Sequence, residues 1–244
     1  VTFAASGVRP GPAPAENEAA RRPARAPPSQ PGARVRVVFP LFDGFTALDL
    51  VGPYEILRML PGAEIVLAGE RAGQAVPDGM NGLSLVATHA RAEVRAADVL
   101  LVPGGPGARR DVDDPALLEW ITAVHATTRW TASVCTGALL LGAAGLLTGK
   151  AATTHWSAVR ELESYGATYT PERVVTHPGD RLIIGAGVSA GIDLALTLAA
   201  QLTSPAHAQA YQLGLEYDPR PPYDAGSLAK APAEAKALLG VVDG

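Results

Sequence analysis

Apolar and polar positions alternate between two periods along most of the chain. Arg34-Val35-Arg36-Val37-Val38-Phe39 is rich in β-branched residues and bounded by Pro40, which predicts a first strand. Residues 48–60 carry a helical pattern. Gly52-Pro53 distorts its start and places Pro53 in the first helical turn, with Asp49-Leu50-Val51 entering as an irregular turn. Residues 63–68 and 83–87 read as strands. Asp98-Val99-Leu100-Leu101-Val102-Pro103 is nearly continuous apolar, as a strand buried on both faces should be. Residues 115–126 place Leu117, Ile121 and Val124 on one helical face. A strand over 130–134 and a helix over 136–147 follow, then an amphipathic segment over 156–165 and short strands at 174–175 and 182–184. A helix over 191–202 is apolar almost all round, and a last one covers 206–215. This alternation predicts a doubly wound, mostly parallel α/β sheet.

The organisation follows from the same pattern. Residues 1–33 are dominated by Pro, Ala, Arg and Gly without apolar periodicity, and are expected to form a disordered leader. Residues 34–228 contain no repeat and no linker and read as one domain, with 229–244 as a C-terminal tail. Apolar residues make up 48% of the chain but aromatics only 5%, so the core must be built from Ala, Leu and Val. A net charge of −4 implies no broad basic face, so nucleic acid is not an expected partner. The longest apolar run falls far short of the ~20 residues that cross a bilayer. The first residues lack the basic and long apolar parts of a signal peptide. A single cysteine allows no intramolecular disulfide and suits a reducing cytoplasm.

That cysteine, Cys135, carries the chemistry. A free cysteine is usually a small buried hydrophobe. Here it stands between a strand ending at Val134 and a helix beginning at Thr136, flanked by Ser133, Gly137 and Ala138. Small neighbours are what a tight strand–nucleophile–helix elbow needs. The helix N-terminus predicts a lowered thiol pKa. Pro103-Gly104-Gly105-Pro106-Gly107 follows the buried strand and reads either as a plain turn or as a loop whose N–H groups, near Gly105, face a developing negative charge. Asp49, among Leu48, Leu50 and Val51, reads either as a helix N-cap or as a desolvated, protonated acid beside the thiol. His155, in Thr153-Thr154-His155-Trp156, reads as a hydrogen-bonded structural histidine or as a residue that orients the thiol or a water. His125 and His207 are expected on exposed helix faces. No metal-ligand motif is present.

Together these stretches resemble the ThiJ/PfpI superfamily, which has a class I glutamine-amidotransferase-like fold. The resemblance spans residue 35 to about 228. It rests on Phe39-Pro40 with 48–53, on 102–107, on 133–138, on 152–156, and on Ser189-Ala190-Gly191-Ile192-Asp193. The tail over 215–224, Leu-Glu-Tyr-Asp-Pro-Arg-Pro-Pro-Tyr-Asp, looks like the end of isonitrile hydratases and their relatives. The resemblance implies a flavodoxin-like three-layer sandwich and a homodimer. It also implies Cys135 as nucleophile, Asp49 as its interacting acid and Thr136 as a third catalytic residue. Peptidase-like members carry His where this chain has Thr136, which argues against protease activity. Amidotransferases place a His–Glu pair late in the chain, and 189–193 holds none.

The expected activity is hydration of a small-molecule isonitrile to an N-substituted formamide, with no metal or organic cofactor. Two alternatives stay open. One is a glyoxalase-like cysteine enzyme acting on reactive aldehydes. The other is a non-enzymatic ligand- or redox-sensing domain related to AraC-type regulators, although only about 20 residues follow the tail motif, too few for a DNA-binding module.

Overall fold

The computed structural model describes residues 34–80 and 82–241. The expected leader over 1–33 lies outside the described residues. Strands are β1 (Val35–Pro40), β2 (Ala63–Gly69), β3 (Ala75–Pro77), β4 (Ser84–Val86), β5 (His89–Ala90), β6 (Val99–Val102), β7 (Trp130–Val134), β8 (Ala151–Ala152), β9 (Thr168–Tyr169), β10 (Val174–His177) and β11 (Leu182–Gly185). Helices are α1 (Ala47–Leu57), α2 (Pro106–Asp111), α3 (Pro115–His125), α4 (Gly137–Ala143), α5 (Val159–Ser164), α6 (Ala190–Leu202), α7 (Pro205–Gly214) and α8 (Ala233–Leu238).

Seven strands form the central sheet in the order β10-β11-β7-β6-β1-β2-β5. All pairings are parallel except that of β10 with β11. Every residue of β6, β7 and β11 is buried, which explains their unbroken apolar or small-residue sequences. Helices α1 and α6 pack together on one face with α7 outside α6, while α2, α3 and α5 gather around α4 on the other. This is the doubly wound, mostly parallel sheet that the alternating pattern predicts, in the flavodoxin-like three-layer sandwich that the resemblance implies. The chain runs outward from β1 to β2 and β5, then restarts on the other side of β1 with β6. That reversal opens a crevice at the C-terminal ends of β1 and β6, where ligands bind in such sheets.

Local chemistry accounts for most boundaries. Asp114 caps α3 by accepting from the N–H groups of Ala116 and Leu117 at 3.0 and 3.2 Å, with Pro115 at the first helical position. Helix α4 stops at Ala143, four residues before the predicted end. Gly145 adopts φ +78°, and the N–H groups of Gly145 and Leu146 return to Gly142 and Leu141. That pairing closes a helix.

Two expectations need correction, and one expected strand lies away from the main sheet. Helix α1 begins at Ala47, so Pro53 lies in its interior rather than its first turn. The loop before it fixes this start, because the Thr46 N–H donates to the Gly104 carbonyl at 2.8 Å. The bond that Pro53 forgoes is to the Asp49 carbonyl, four residues back and in the first turn. The segment read as a strand over 83–87 is β4, which pairs with β3 outside the main sheet. His125 is half-buried, with Nδ1 2.8 Å from Thr131 Oγ1, rather than exposed. The glycine loop also leads into a helix, α2, which starts with Pro106 behind Gly105.

Candidate functional site

Strands β1, β6 and β7 lie side by side, and the segments leaving their C-terminal ends bring Asp49, Gly104-Gly105 and Cys135 together. Cys135 has φ +58°, a conformation that L-residues rarely adopt. Such strain costs about 1–3 kcal/mol and persists only where the surroundings impose it. Here its N–H donates to the Ala186 carbonyl at 2.9 Å, and its carbonyl accepts from Thr154 Oγ1 at 2.9 Å. Both bonds fix the peptide units on either side of the sulfur. The result is the elbow that the small residues 133–138 foretell.

Asp49 sits in the first turn of α1 and is fully buried. It does not cap the helix; Thr46 holds that position. Its Oδ2 accepts from the Gly104 N–H at 2.8 Å, while Oδ1 has no hydrogen-bond partner. Burial pushes the carboxyl up to about 7, against the Gly104 N–H and the Cys135 thiol, which both pull it down. Leu48 contributes little to this enclosure, being 43% exposed.

The thiol moves the opposite way from the expectation. Burial and then the Asp49 charge push Cys135 up to about 12, although the backbone N–H groups of Val188 and Thr136 favour the thiolate. Only 5% of the residue is exposed, and two N–H dipoles do not offset that desolvation beside a carboxylate. At rest the sulfur is therefore a thiol, and Asp49 is the group that titrates near neutrality.

The glycine loop serves the two flanking side chains. The Gly105 N–H donates to Thr136 Oγ1 at 2.8 Å, and that hydroxyl lies 3.0 Å from the Gly105 carbonyl, to which it donates. The expected role of the Gly105 N–H as a charge-stabilising donor is corrected by this bond. Gly105 has φ +130°, open only to glycine, and a Cβ on it would lie 2.6 Å from the Thr46 nitrogen. A Cβ on Gly104 would lie 2.5 Å from the Thr136 nitrogen and 2.9 Å from Asp49 Oδ2. The loop is thus the spacer that lets acid, threonine and cysteine meet.

His155 stands at the edge. Its Nδ1 is 2.8 Å from Ser157 Oγ and accepts from the Ser157 N–H at 3.3 Å, so it caps the turn that precedes α5. Its ring lies against Gly187, next to Val188, and 4.9 Å from the Trp156 ring. Burial and then Arg109 lower its pKa, favouring the neutral ring. Val188 escaped the sequence reading because a backbone donor leaves no residue-type signal. Among the described residues, no group of three or more His, Cys, Asp or Glu is placed to hold a metal ion, and no helix is long and apolar enough to cross a membrane.

The sequence profile of the DJ-1/PfpI family matches residues 35–201, which contain Asp49, the glycine loop and the Cys135 elbow. The chain belongs to this family. Within it, the chain is 42% identical over 200 residues to isonitrile hydratase of Pseudomonas putida, covering 82% of this chain and 86% of that protein. A crystal structure of a ThiJ/PfpI family protein from Pseudomonas syringae superposes with a TM-score of 0.80 at 37% identity, over 85% of each chain. The HTH-type transcriptional regulator CdhR of Pseudomonas aeruginosa is 32% identical over 68% of this chain, which spans about half of that regulator's length.

Proposed function

We propose that this DJ-1/PfpI member is a cysteine-dependent isonitrile hydratase, acting without metal or organic cofactor as a single catalytic domain over 34–228. The observation that carries the reading is the buried pair of Asp49 and Cys135, a carboxyl that titrates near 7 against a thiol held protonated. A nearly closed sulfur admits a slender terminal group, and the isonitrile carbon is one. The 42% identity to isonitrile hydratase supports the same substrate class.

In this mechanism Asp49 carboxylate takes the thiol proton as Sγ attacks the terminal carbon, so the thiol need not ionise in advance. The acid returns that proton to the same carbon and gives the thioimidate R–N=CH–S–Cys135. Asp49, again ionised, accepts a proton from water as its oxygen adds to the carbon, and the nitrogen is protonated in turn. Collapse of R–NH–CH(OH)–S–Cys135 breaks the C–S bond, returns the hydroxyl proton to sulfur and releases R–NH–CHO. The N–H groups of Thr136 and Val188 stabilise the departing sulfur. Thr136 acts through that N–H and by fastening the glycine loop that holds Asp49, with His155 supporting the Gly187-Val188 edge. The protein works as a cytoplasmic homodimer on a small molecule, not on nucleic acid.

The experiment incubates the purified chain with aryl and alkyl isonitriles and follows the formamide by NMR. Turnover that disappears in Cys135→Ala is the expected result. Absence of turnover across the series overturns the reading. Lactate formed from methylglyoxal would then favour the aldehyde chemistry, and saturable ligand binding without turnover would favour a sensing role such as the relation to the regulator suggests.

A further inference from the structure

Two stretches take no direct part in that reaction: Ser189 to Asp193 at the start of α6, and the tail around Tyr217. The structure joins them. Arg173 Nε forms an ion pair with Asp193 Oδ2, and Nη2 donates to Ser189 Oγ at 3.1 Å. The Tyr217 hydroxyl donates to the other oxygen, Asp193 Oδ1, at 3.2 Å. Tyr217 is itself anchored through its backbone, its N–H donating to the Gln212 carbonyl at 3.1 Å and its carbonyl accepting from Gln212 Nε2 at 3.1 Å.

The same arginine also holds the far end of the segment. The Ala186 N–H donates to the Arg173 carbonyl at 3.0 Å, continuing the β10–β11 ladder by one pair, and the Ala186 carbonyl in turn accepts from the Cys135 N–H at 2.9 Å. Residues 186–189 are therefore gripped at both ends by one residue: by its carbonyl at Ala186 and by its guanidinium at Ser189. Val188, whose backbone N–H favours the thiolate, lies between the two grips. A planar fork suits this task, because it engages a carboxylate and a hydroxyl in fixed relative directions, which an ammonium does not.

We propose that Arg173 is a positioning residue for the nucleophile, holding the 186–189 turn whose Ala186 carbonyl fixes the Cys135 N–H and which carries the Val188 N–H, with Asp193 and the tail residue Tyr217 orienting its guanidinium. The tail motif is on this account part of the active-site scaffold, acting at a distance through α6. The inference rests on Cys135 as nucleophile and not on the identity of the substrate.

The test measures alkylation of Cys135 by iodoacetamide across pH, together with kcat and KM for an isonitrile, in Arg173→Gln, Arg173→Lys, Ser189→Ala and Tyr217→Phe. Misaligning one donor should lower the alkylation rate and kcat on the order of tenfold in Arg173→Gln, with KM changed little. Ser189→Ala should show most of this loss and Tyr217→Phe a smaller part. Arg173→Lys should recover melting temperature without recovering rate. Alkylation profiles of Arg173→Gln and Ser189→Ala that overlay the wild type, with only the melting temperature lowered, would overturn the proposal. If Arg173→Gln does not fold, Ser189→Ala decides the matter, since it removes one hydroxyl at an exposed position. A chain that turns over no isonitrile but loses alkylation in these variants would retain the proposal while removing the substrate assignment.

Discussion

The Thr136 hydroxyl and the Gly105 peptide unit satisfy each other in both directions, N–H to Oγ1 at 2.8 Å and Oγ1 to carbonyl at 3.0 Å. Both residues are buried. The side chain next to the nucleophile is thus spent on holding the loop whose preceding N–H, that of Gly104, holds Asp49.

Thr136→Val should leave the Gly105 N–H buried without a partner. The expected loss of stability is about 1–3 kcal/mol, the penalty of an unpaired buried donor. Thr136→Ser keeps the hydroxyl and should recover most of it. Urea unfolding of the three proteins measures the difference, and equal midpoints for Val and wild type would refute the argument.

Asp49→Asn should separate reactivity from catalysis. Removing the charge relieves the electrostatic cause that, after burial, most raises the thiol pKa, so iodoacetamide should alkylate Cys135 faster at pH 8 than in the wild type. Formamide production should fall by about 10² or more, the usual contribution of a positioned acid–base group. In the wild type, kcat/KM should decline as pH drops below about 7, where Asp49 becomes protonated and cannot accept the thiol proton.

Stability should carry the same signature with a definite sign. The Asp49 carboxyl is raised from 3.8 to about 7 in the folded chain, so between those values the folded state binds more protons than the unfolded one. Stability from this group is present at low pH and is lost as pH rises towards 7. That rise corresponds at most to about 4 kcal/mol. Asp49→Asn should therefore melt higher than the wild type at pH 8, with the gap closing near pH 4. Differential scanning calorimetry at both pH values checks it.

Gly104→Ala should damage the site without touching a reactive group. A methyl 2.5 Å from the Thr136 nitrogen and 2.9 Å from Asp49 Oδ2 has backbone on one side and a buried carboxyl on the other, and neither can swing away. Overpacking of this kind costs about 1–3 kcal/mol. Activity should fall with it, and wild-type kcat in a stably folded Gly104→Ala would show that the spacing of acid and thiol is not critical.

What the chain shows on its own is whatever neighbours in sequence decide. The apolar run of β6 announces a buried strand, because a parallel strand covered on both faces needs apolar or small residues at every position. The Cys135 elbow is legible for the same reason: strand end, small residues and helix start are contiguous. Asp49 and the glycine loop are legible as residues at strand ends, since that is where such sheets place their ligands. The meaning of these residues is set across the sheet. Burial and Asp49, 86 positions away, reverse the thiol shift that a helix N-terminus alone predicts, because desolvation depends on everything packed around a group and not on its flanks. The Gly105 N–H, read as free, is taken by a hydroxyl 31 residues on. Val188, a backbone donor, and Arg173, an exposed arginine like several others in composition, acquire their places only when β10, β11 and α6 bring residues 173, 186–189, 193 and 217 into one hydrogen-bonded set.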